Sequence, residues 1–580
     1  MSHATPSRTP DRPAPTAAGM TRRAALGLAA AAGVVALSGC SNDADNGGAA
    51  SSSADAGSSS QGGSDGAAGA KELTAFVVSS LATLDPQNDS NADDQDITGL
   101  LSEGLYRLDS DGVTAVPALA ESHEVSDDGL TYTFKIKSGA KWQDGQDVTA
   151  GQFAESLRRF YDPATASENA NSYFSYVEGA SEVYNGEKDP SELAVNAPDD
   201  ATFELTVATV LPEPTVLAFL SSAPAYPIRT DKIEEGGDGW STNPDTHLSC
   251  GPYKLAQYAP DEKIVLTRND AYTGDAPAQA DTITFRLFAD SSAADVAMGN
   301  GELAFYKYAS DALIAQMDGK AELNVSETFG TAVLYMNNGA EPLNDPKVRE
   351  AVFRAIDPAY ANETLESGRA TVATGLAGDV FSDPTGASFR EDSQIIDDFS
   401  DDELTKAKDL LKEAGYENGE GLPSMAFITT STTLGTKRAE FFQAMLKDNL
   451  GIQVDVEAYD VPTYLDKLTS GQFAFAYANT SVSCDNVIEL FQNFEGSSNN
   501  YGIKVDDFDD LLARASTESD PKEQAKLLHD AEKALVTEAF AIRPVMYSYQ
   551  VSLVSNDVEN LVMCGTGNVL FNYMTLKSWA

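Results

Sequence analysis

Pro117 to Phe160 reads PALAESHEVSDDGLTYTFKIKSGAKWQDGQDVTAGQFAESLRRF, and three local signals follow one another in it. Polar and apolar residues alternate from Leu130 to Lys137, the period of a strand with one buried face. Asp144-Gly145, just after Lys141-Trp142, is a strong turn signal, since glycine adopts the backbone conformations a tight turn needs. Thr149 is then suited to cap a helix that runs to Phe160 and stops at Asp162-Pro163. Trp142 and the Asp144-Gly145 turn are read as holding a hairpin and its packing, not as ligand contacts.

Working outward, Leu73 to Val78 reads as a first strand, ended by the turn at Leu84-Asp85-Pro86. Thr202 to Val207 alternates again, and Lys263–Thr267 and Asp281–Phe288 are candidates for a strand pair. The second half changes character. Asp345-Pro346 opens a helix that carries Val348, Ala351, Val352 and Ile356 at helical spacing. Asp401 to Ala414 is a second helix, stopped by Gly415. Strand Met425–Thr429, helix Lys437–Asn449, strand Gln453–Glu457 and helix Pro462–Thr469 then alternate. That rhythm predicts a βαβ-type lobe with a mostly parallel sheet. Phe508–Ala515 and Pro521–Thr537 are amphipathic helices, and Arg543–Leu553 is a β-rich run.

The N-terminus carries an export signal. Arg22-Arg23 precede an apolar run of Ala, Gly, Leu and Val from Ala24 to Leu37, too short to span a bilayer comfortably. The run ends in Leu37-Ser38-Gly39-Cys40, the layout of a lipoprotein signal in which Cys40 becomes the lipid-bearing N-terminus. Residues 1–39 are therefore expected to be signal peptide. Residues 40–70, rich in Ser, Gly, Ala and Asp, cannot bury enough apolar surface to offset their ordering entropy and read as a tether. Everything after Cys40 is expected to work outside the cytoplasm, held to the cell membrane by lipid. The twin arginine is common to both export routes and leaves Sec and Tat open.

The 42% hydrophobic content suits a soluble globular body, and no later stretch reaches the length of a spanning helix. With 89 acidic against 39 basic residues the net charge is −50, which repels nucleic acid and anionic headgroups. Export permits a disulfide among Cys250, Cys484 and Cys564, with one thiol left over. Cys250–Cys564 is the favoured pair, Cys484 stays open as a partner, and the alternative is three small buried apolar residues. The four histidines are scattered and no cluster has metal-ligand spacing, so neither metal nor cofactor is expected. Outside the Ser/Gly-rich tether there is no Gly-x-Ser-x-Gly, and His-Glu-x-x-His and phosphate-loop motifs are absent, which argues against an enzyme.

Four ordered blocks carry a family likeness: the opening stretch, Gly251-Pro252-Tyr253-Lys254-Leu255 with Ile264 to Asn269, Leu343 to Asp357, and Ala407 to Tyr416. In these the chain resembles the family 5 extracellular solute-binding proteins, among them the oligopeptide- and dipeptide-binding proteins of ABC importers. The resemblance implies an α/β, three-lobed periplasmic-binding-protein-like fold with the ligand cleft between lobes one and three. Its expected boundaries are 71–103, 223–334 and 548–580 for lobe one, 104–222 for lobe two and 335–547 for lobe three. Two crossings of the hinge are expected, near Val333–Asn338 and Ile542–Tyr547.

The resemblance also implies capture of a peptide through its backbone, laid in as an added strand, with delivery to permease subunits by a monomer. An acidic residue of lobe three would receive the peptide's ammonium group. The best match is Asp485, in Val482-Ser483-Cys484-Asp485-Asn486, where the family has Trp-Cys-Ala-Asp-Tyr. Capping of the following helix by Asp485 is the competing reading. Asn486 beside it, Tyr335 and Asn337 on the first crossing and Tyr547 on the second complete the expected ligand residues. Lys307 is read as a surface lysine. An oligosaccharide or another small solute is the alternative ligand, for which Trp240 and the tyrosines would offer stacking surfaces. An exported enzyme or a chaperone-like surface protein ranks below both.

Overall fold

A computed structural model describes residues 70–579 apart from 77–80, 82, 90–91, 289, 392, 483 and 497–500. The expected signal peptide (1–39), Cys40 and the expected tether up to residue 69 lie outside the described residues. In chain order, the elements that build the site are β1 Glu72–Phe76, α1 Ala92–Leu101, β2 Ala120–Val125, β3 Thr131–Ile136, α2 Ala150–Tyr161, β4 Val195–Asp199 and β5 Thr202–Thr206. There follow β6 Tyr253–Ala259, β7 Lys263–Arg268, β8 Thr282–Arg286, β9 Phe305–Lys307, β10 Ala321–Met336 and α3 Pro346–Ala355. The last group is β11 Met425–Thr430, α4 Thr433–Leu450, β12 Val454–Tyr459, β13 Phe475–Ser481, α5 Val487–Gln492, α6 Pro521–Lys533 and β14 Ile542–Ser555.

The opening stretch folds as its residues dictate. Thr149 and Gln152 form a reciprocal capping box at the start of α2. Gln152 also accepts a hydrogen bond from Trp142 Nε1 at 3.0 Å, which ties the hairpin to the helix. Gly145 takes φ 85° at the tight turn. Gly251 serves a close approach: a Cβ there would lie 2.8 Å from the backbone of Leu100 to Ser102.

Among the described residues ten strands form one sheet, in the order β12-β11-β13-β10-β14-β9-β1-β8-β7-β6, and β2-β3-β5-β4 form a second, antiparallel sheet. The β12-β11-β13 end is parallel as expected. The run β13-β10-β14-β9 is antiparallel, so the mostly parallel expectation for the second half of the chain holds only at that end, while β1 makes parallel pairs with β8 and β9. The long strands β10 and β14 pair with each other and span the sheet. Near Ser552–Val554, β14 pairs with β9, and from Gly330 onward β10 pairs with β13. Their mutual register shifts between Glu327 and Thr331, opposite Tyr549 and Tyr547. That shift lies a few residues before the expected first crossing near Val333–Asn338.

Apolar side chains gather in separate cores. One lies on the small sheet, with Phe134, Phe153, Leu157 and Phe203. Another, with Leu73, Ile283, Phe285 and Phe571, backs the β1 end of the large sheet. The largest, with Val333, Phe427, Phe442 and Leu535, backs the β11 end. Separate cores joined by two continuous strands are the mechanical layout of a hinge.

Two expectations fail here. Lys307 is not on the surface: it is 0% exposed and pairs with Asp93 at 2.6 Å and Asp96 at 2.9 Å. The Cys250–Cys564 disulfide is not formed, because the three thiols are free and buried and each faces its own surroundings. Cys250 Sγ points to the Glu103 carbonyl at 3.9 Å, and Cys484 Sγ lies 2.9 Å from Tyr176 Oη. Burial pushes the Cys250 and Cys564 thiols up to about 12, which leaves almost no thiolate. Without reductant, these three cysteines should resist alkylation in the native protein and all react after unfolding, as mass spectrometry of the intact chain would register.

Candidate functional site

A cavity of about 140 Å³ lies where the three cores meet. Its walls come from the end of α1 and the turn after it, with Glu103 and Arg107, from Ala218–Ala223 with Tyr226, and from the C-terminal loop around Cys564. Across from these stand Phe329 of β10 and the Cys484-Asp485 pair that follows β13.

Local structure fixes Asp485 in that wall. Asn486 caps α5, its Oδ1 accepting from Glu489 N at 3.1 Å, while its Nδ2 donates to Tyr176 Oη at 3.2 Å. Asp485 is therefore not the cap. Its Oδ1 accepts from the Ser382 backbone N–H at 2.8 Å, and its carbonyl accepts from Thr215 Oγ1 at 3.4 Å. Burial raises its carboxyl to about 6, against the bonds from Ser382, and no basic group of the described residues offsets it. A carboxylate stripped of much of its water and given no cation is a ready receptor for an ammonium group.

Glu103, which the sequence reading did not single out, adds a second acid. Its Oε1 accepts from Tyr272 Oη at 2.7 Å, while Oε2 is buried without a partner. Burial raises it to about 7. Asp96 also reaches the wall but is engaged by Lys307 and by the Val569 N–H. Against these acids the wall carries Arg107. The balance favours a cationic or hydrogen-bond-donating ligand group. The signal for Glu103 is its neighbour: a Cβ on Gly104 would come 2.4 Å from the Leu220 carbonyl, so that turn is pressed against the far wall.

The other expected ligand residues lie elsewhere. Asn486 spends its side chain on the cap and on Tyr176. Tyr335 is buried in the largest core, stacked on Phe494 with ring centroids 5.7 Å apart. Asn337 donates to the Gly471 and Phe473 carbonyls and accepts from Gly339 N, closing a turn. Tyr547 is buried, its Oη 3.1 Å from the Thr374 N–H it accepts. Strand alternation turned Tyr335 into the core, Tyr547 is buried against Thr374, and Asn337 lies just past the end of β10 in a turn. Trp240 is stacked on His247, away from the cavity. Asn486→Ala should cost about 1 kcal/mol from the cap, lowering the melting temperature modestly, a loss that thermal denaturation would register.

Among the described residues no cluster of His, Cys, Asp or Glu side chains is placed to hold a metal, and no helix is long and apolar enough to cross a membrane.

Residues 114–502 match the family model for bacterial extracellular solute-binding proteins, family 5, middle region. The dipeptide-binding protein DppE of Bacillus subtilis is 29% identical over 486 residues, 83% of this chain and 86% of the relative. The periplasmic oligopeptide-binding protein OppA of Haemophilus influenzae is 29% identical over 470 residues, 78% and 84% of the two chains. Among solved structures, the unliganded open form of the periplasmic murein tripeptide-binding protein MppA superposes with a TM-score of 0.75 at 24% identity, covering 87% of this chain and 97% of that one.

Proposed function

We propose that this chain, which belongs to the bacterial extracellular solute-binding proteins of family 5, is the lipid-anchored capture component of an ABC importer for peptides. The observation that carries this reading is the uncompensated carboxylate of Asp485, held in a cavity wall between separate cores. A peptide brings one cation wherever its sequence varies, the N-terminal ammonium. A single fixed carboxylate can therefore serve many peptides. The cavity in its present shape is far smaller than a peptide, so entry requires the cores to part about β10 and β14, and capture requires them to close again. Two continuous strands permit that motion without unfolding. The protein makes and breaks no bond in this scheme: it delivers the ligand to permease subunits, tethered to the cell membrane through Cys40. The names of the peptide-binding relatives support the same ligand class. The sugar reading loses its main surface, since Trp240 is packed on His247.

Native mass spectrometry of the protein as purified, with fragmentation of whatever is released, tests this. A family of peptide masses is the expected result. Hexose spacings, or a single non-peptide mass, would sink the peptide ligand while keeping the transport role.

A further inference from the structure

We infer that a second cavity, at the start of β14, binds a small organic monocarboxylate through the buried guanidinium of Arg543. The cavity holds about 160 Å³, and its walls come from α3, residues 395–399, the segment that follows α6, and β14. It shares no wall residue with the Asp485 cavity, so the inference is independent of the peptide reading. A cavity of about 150 Å³ admits a benzene-sized guest.

Arg543 calls for an anion. It is 2% exposed and sits on β14 opposite Leu334 of β10. Its Nη1 donates to the Pro544 carbonyl at 3.0 Å, while its Nε is buried without a partner. Burial pulls the guanidinium down to about 10, against the charge of Asp357, with which it makes no ion pair. The other charges on the wall are spent or turned to water. Arg354 pairs with Glu350 at 2.8 Å and with Glu403, and Glu403 also holds Lys406 at 2.6 Å. Asp397 is exposed and makes no ion pair among the described residues. One positive charge is left uncompensated, and a single negative charge balances it. A phosphate dianion would instead add excess charge beside Asp397 and Glu403.

The rest of the wall suits a hydrocarbon. The guanidinium carbon stands 4.5 Å over the Phe353 ring, which holds the planar fork in one orientation. Phe353 meets Phe540 edge-on with ring centroids 5.2 Å apart, and Ile356 and Ile396 continue the apolar lining. Phe540 takes its place with φ 50°, a left-handed conformation that a phenylalanine adopts only at a cost. A carboxylate meets the fork of Arg543 while its tail displaces water from these walls.

Thermal denaturation and calorimetric titration of the full-length protein test the assignment. The probes are sodium benzoate and sodium butyrate, with benzamide and butyramide as their uncharged matches and sodium chloride holding the ionic strength constant throughout. At least one acid should raise the melting temperature saturably and bind at least tenfold tighter than its amide. Arg543→Met should weaken that binding at least tenfold. The variant itself should melt no lower than the wild type, because it removes a buried charge that has no counter-charge. The absence of any saturable effect of either acid over chloride overturns the site, as does equal binding of acid and amide, and neither comparison needs a variant. Acid binding that survives Arg543→Met overturns the role of the guanidinium. A variant that melts well below the wild type shows that Arg543 already has a counter-charge, which also overturns the inference.

Discussion

Asp485→Asn should weaken peptide binding by about a hundredfold or more, the scale on which truncating one partner of a buried charge pair acts. The same substitution should make the ligand-free protein more stable at neutral pH. The Asp485 carboxyl is raised in the folded chain to about 6, so the folded state disfavours its ionised form. Its contribution to stability is lost as pH rises from about 4 through 6, and an amide removes that penalty. Lost binding with gained stability cannot be mistaken for misfolding. Binding by the wild type should weaken below about pH 6, by roughly tenfold per pH unit once Asp485 is mostly protonated. Glu489, also raised to about 7 by burial, lies beside Cys484, and Glu103 faces the same cavity. The part of the pH profile that Asp485→Asn flattens belongs to Asp485 alone. Calorimetry across pH 4.5–8 with both proteins would measure it.

Lys307→Met should be the most destabilising single change outside the apolar cores. The ammonium group lies within ion-pair distance of Asp93 and Asp96, and Asp96 in turn accepts from Val569 N at 2.7 Å and Asn568 Nδ2 at 3.0 Å. This knot joins β9 and α1 to the C-terminal loop that walls the cavity. Removing its only cation leaves two carboxylates in a space that has excluded water, a loss of about 3–5 kcal/mol. Asp96 is raised to about 6 even with the lysine present. A carboxyl raised by folding stabilises less as pH climbs, so the damage should be greater at pH 7.5 than at pH 5, where Asp96 can take up a proton. Adding Asp96→Asn to Lys307→Met should recover part of the loss. Thermal denaturation at the two pH values would show both effects, and a pH-independent loss would count against the ion network as the cause.

Much of the scaffold was legible because its signals are local. Thr149, Asp345-Pro346 and the alternation from Leu130 to Lys137 each report on the residue's own neighbours, and helix α2, helix α3 and strand β3 appear where those signals put them. Strand β10 was seen only at its C-terminal end. Its first half, Ala321 to Thr328, is largely polar and partly exposed and is held as a strand by pairing with β14, more than two hundred residues away. The site was less legible still. Tyr335, Asn337 and Tyr547 lie on or beside crossing strands, but which face of a strand meets the cleft depends on register, and the shift at Glu327–Thr331 is not written in the local sequence. Lys307 looked like any surface lysine because both of its partners sit on α1, more than two hundred residues earlier in the chain. Asp485 could be picked out because its block carries the family likeness, and the competing role of helix cap falls to its neighbour Asn486.

The central claim is that a ligand's free ammonium group is held by Asp485. Comparing tri-alanine with N-acetyl tri-alanine by calorimetry tests it most directly, since acetylation removes the charge and keeps the rest of the backbone. The account predicts that tri-alanine binds and that the acetylated peptide binds at least a hundredfold more weakly. Equal affinity for the two would contradict it.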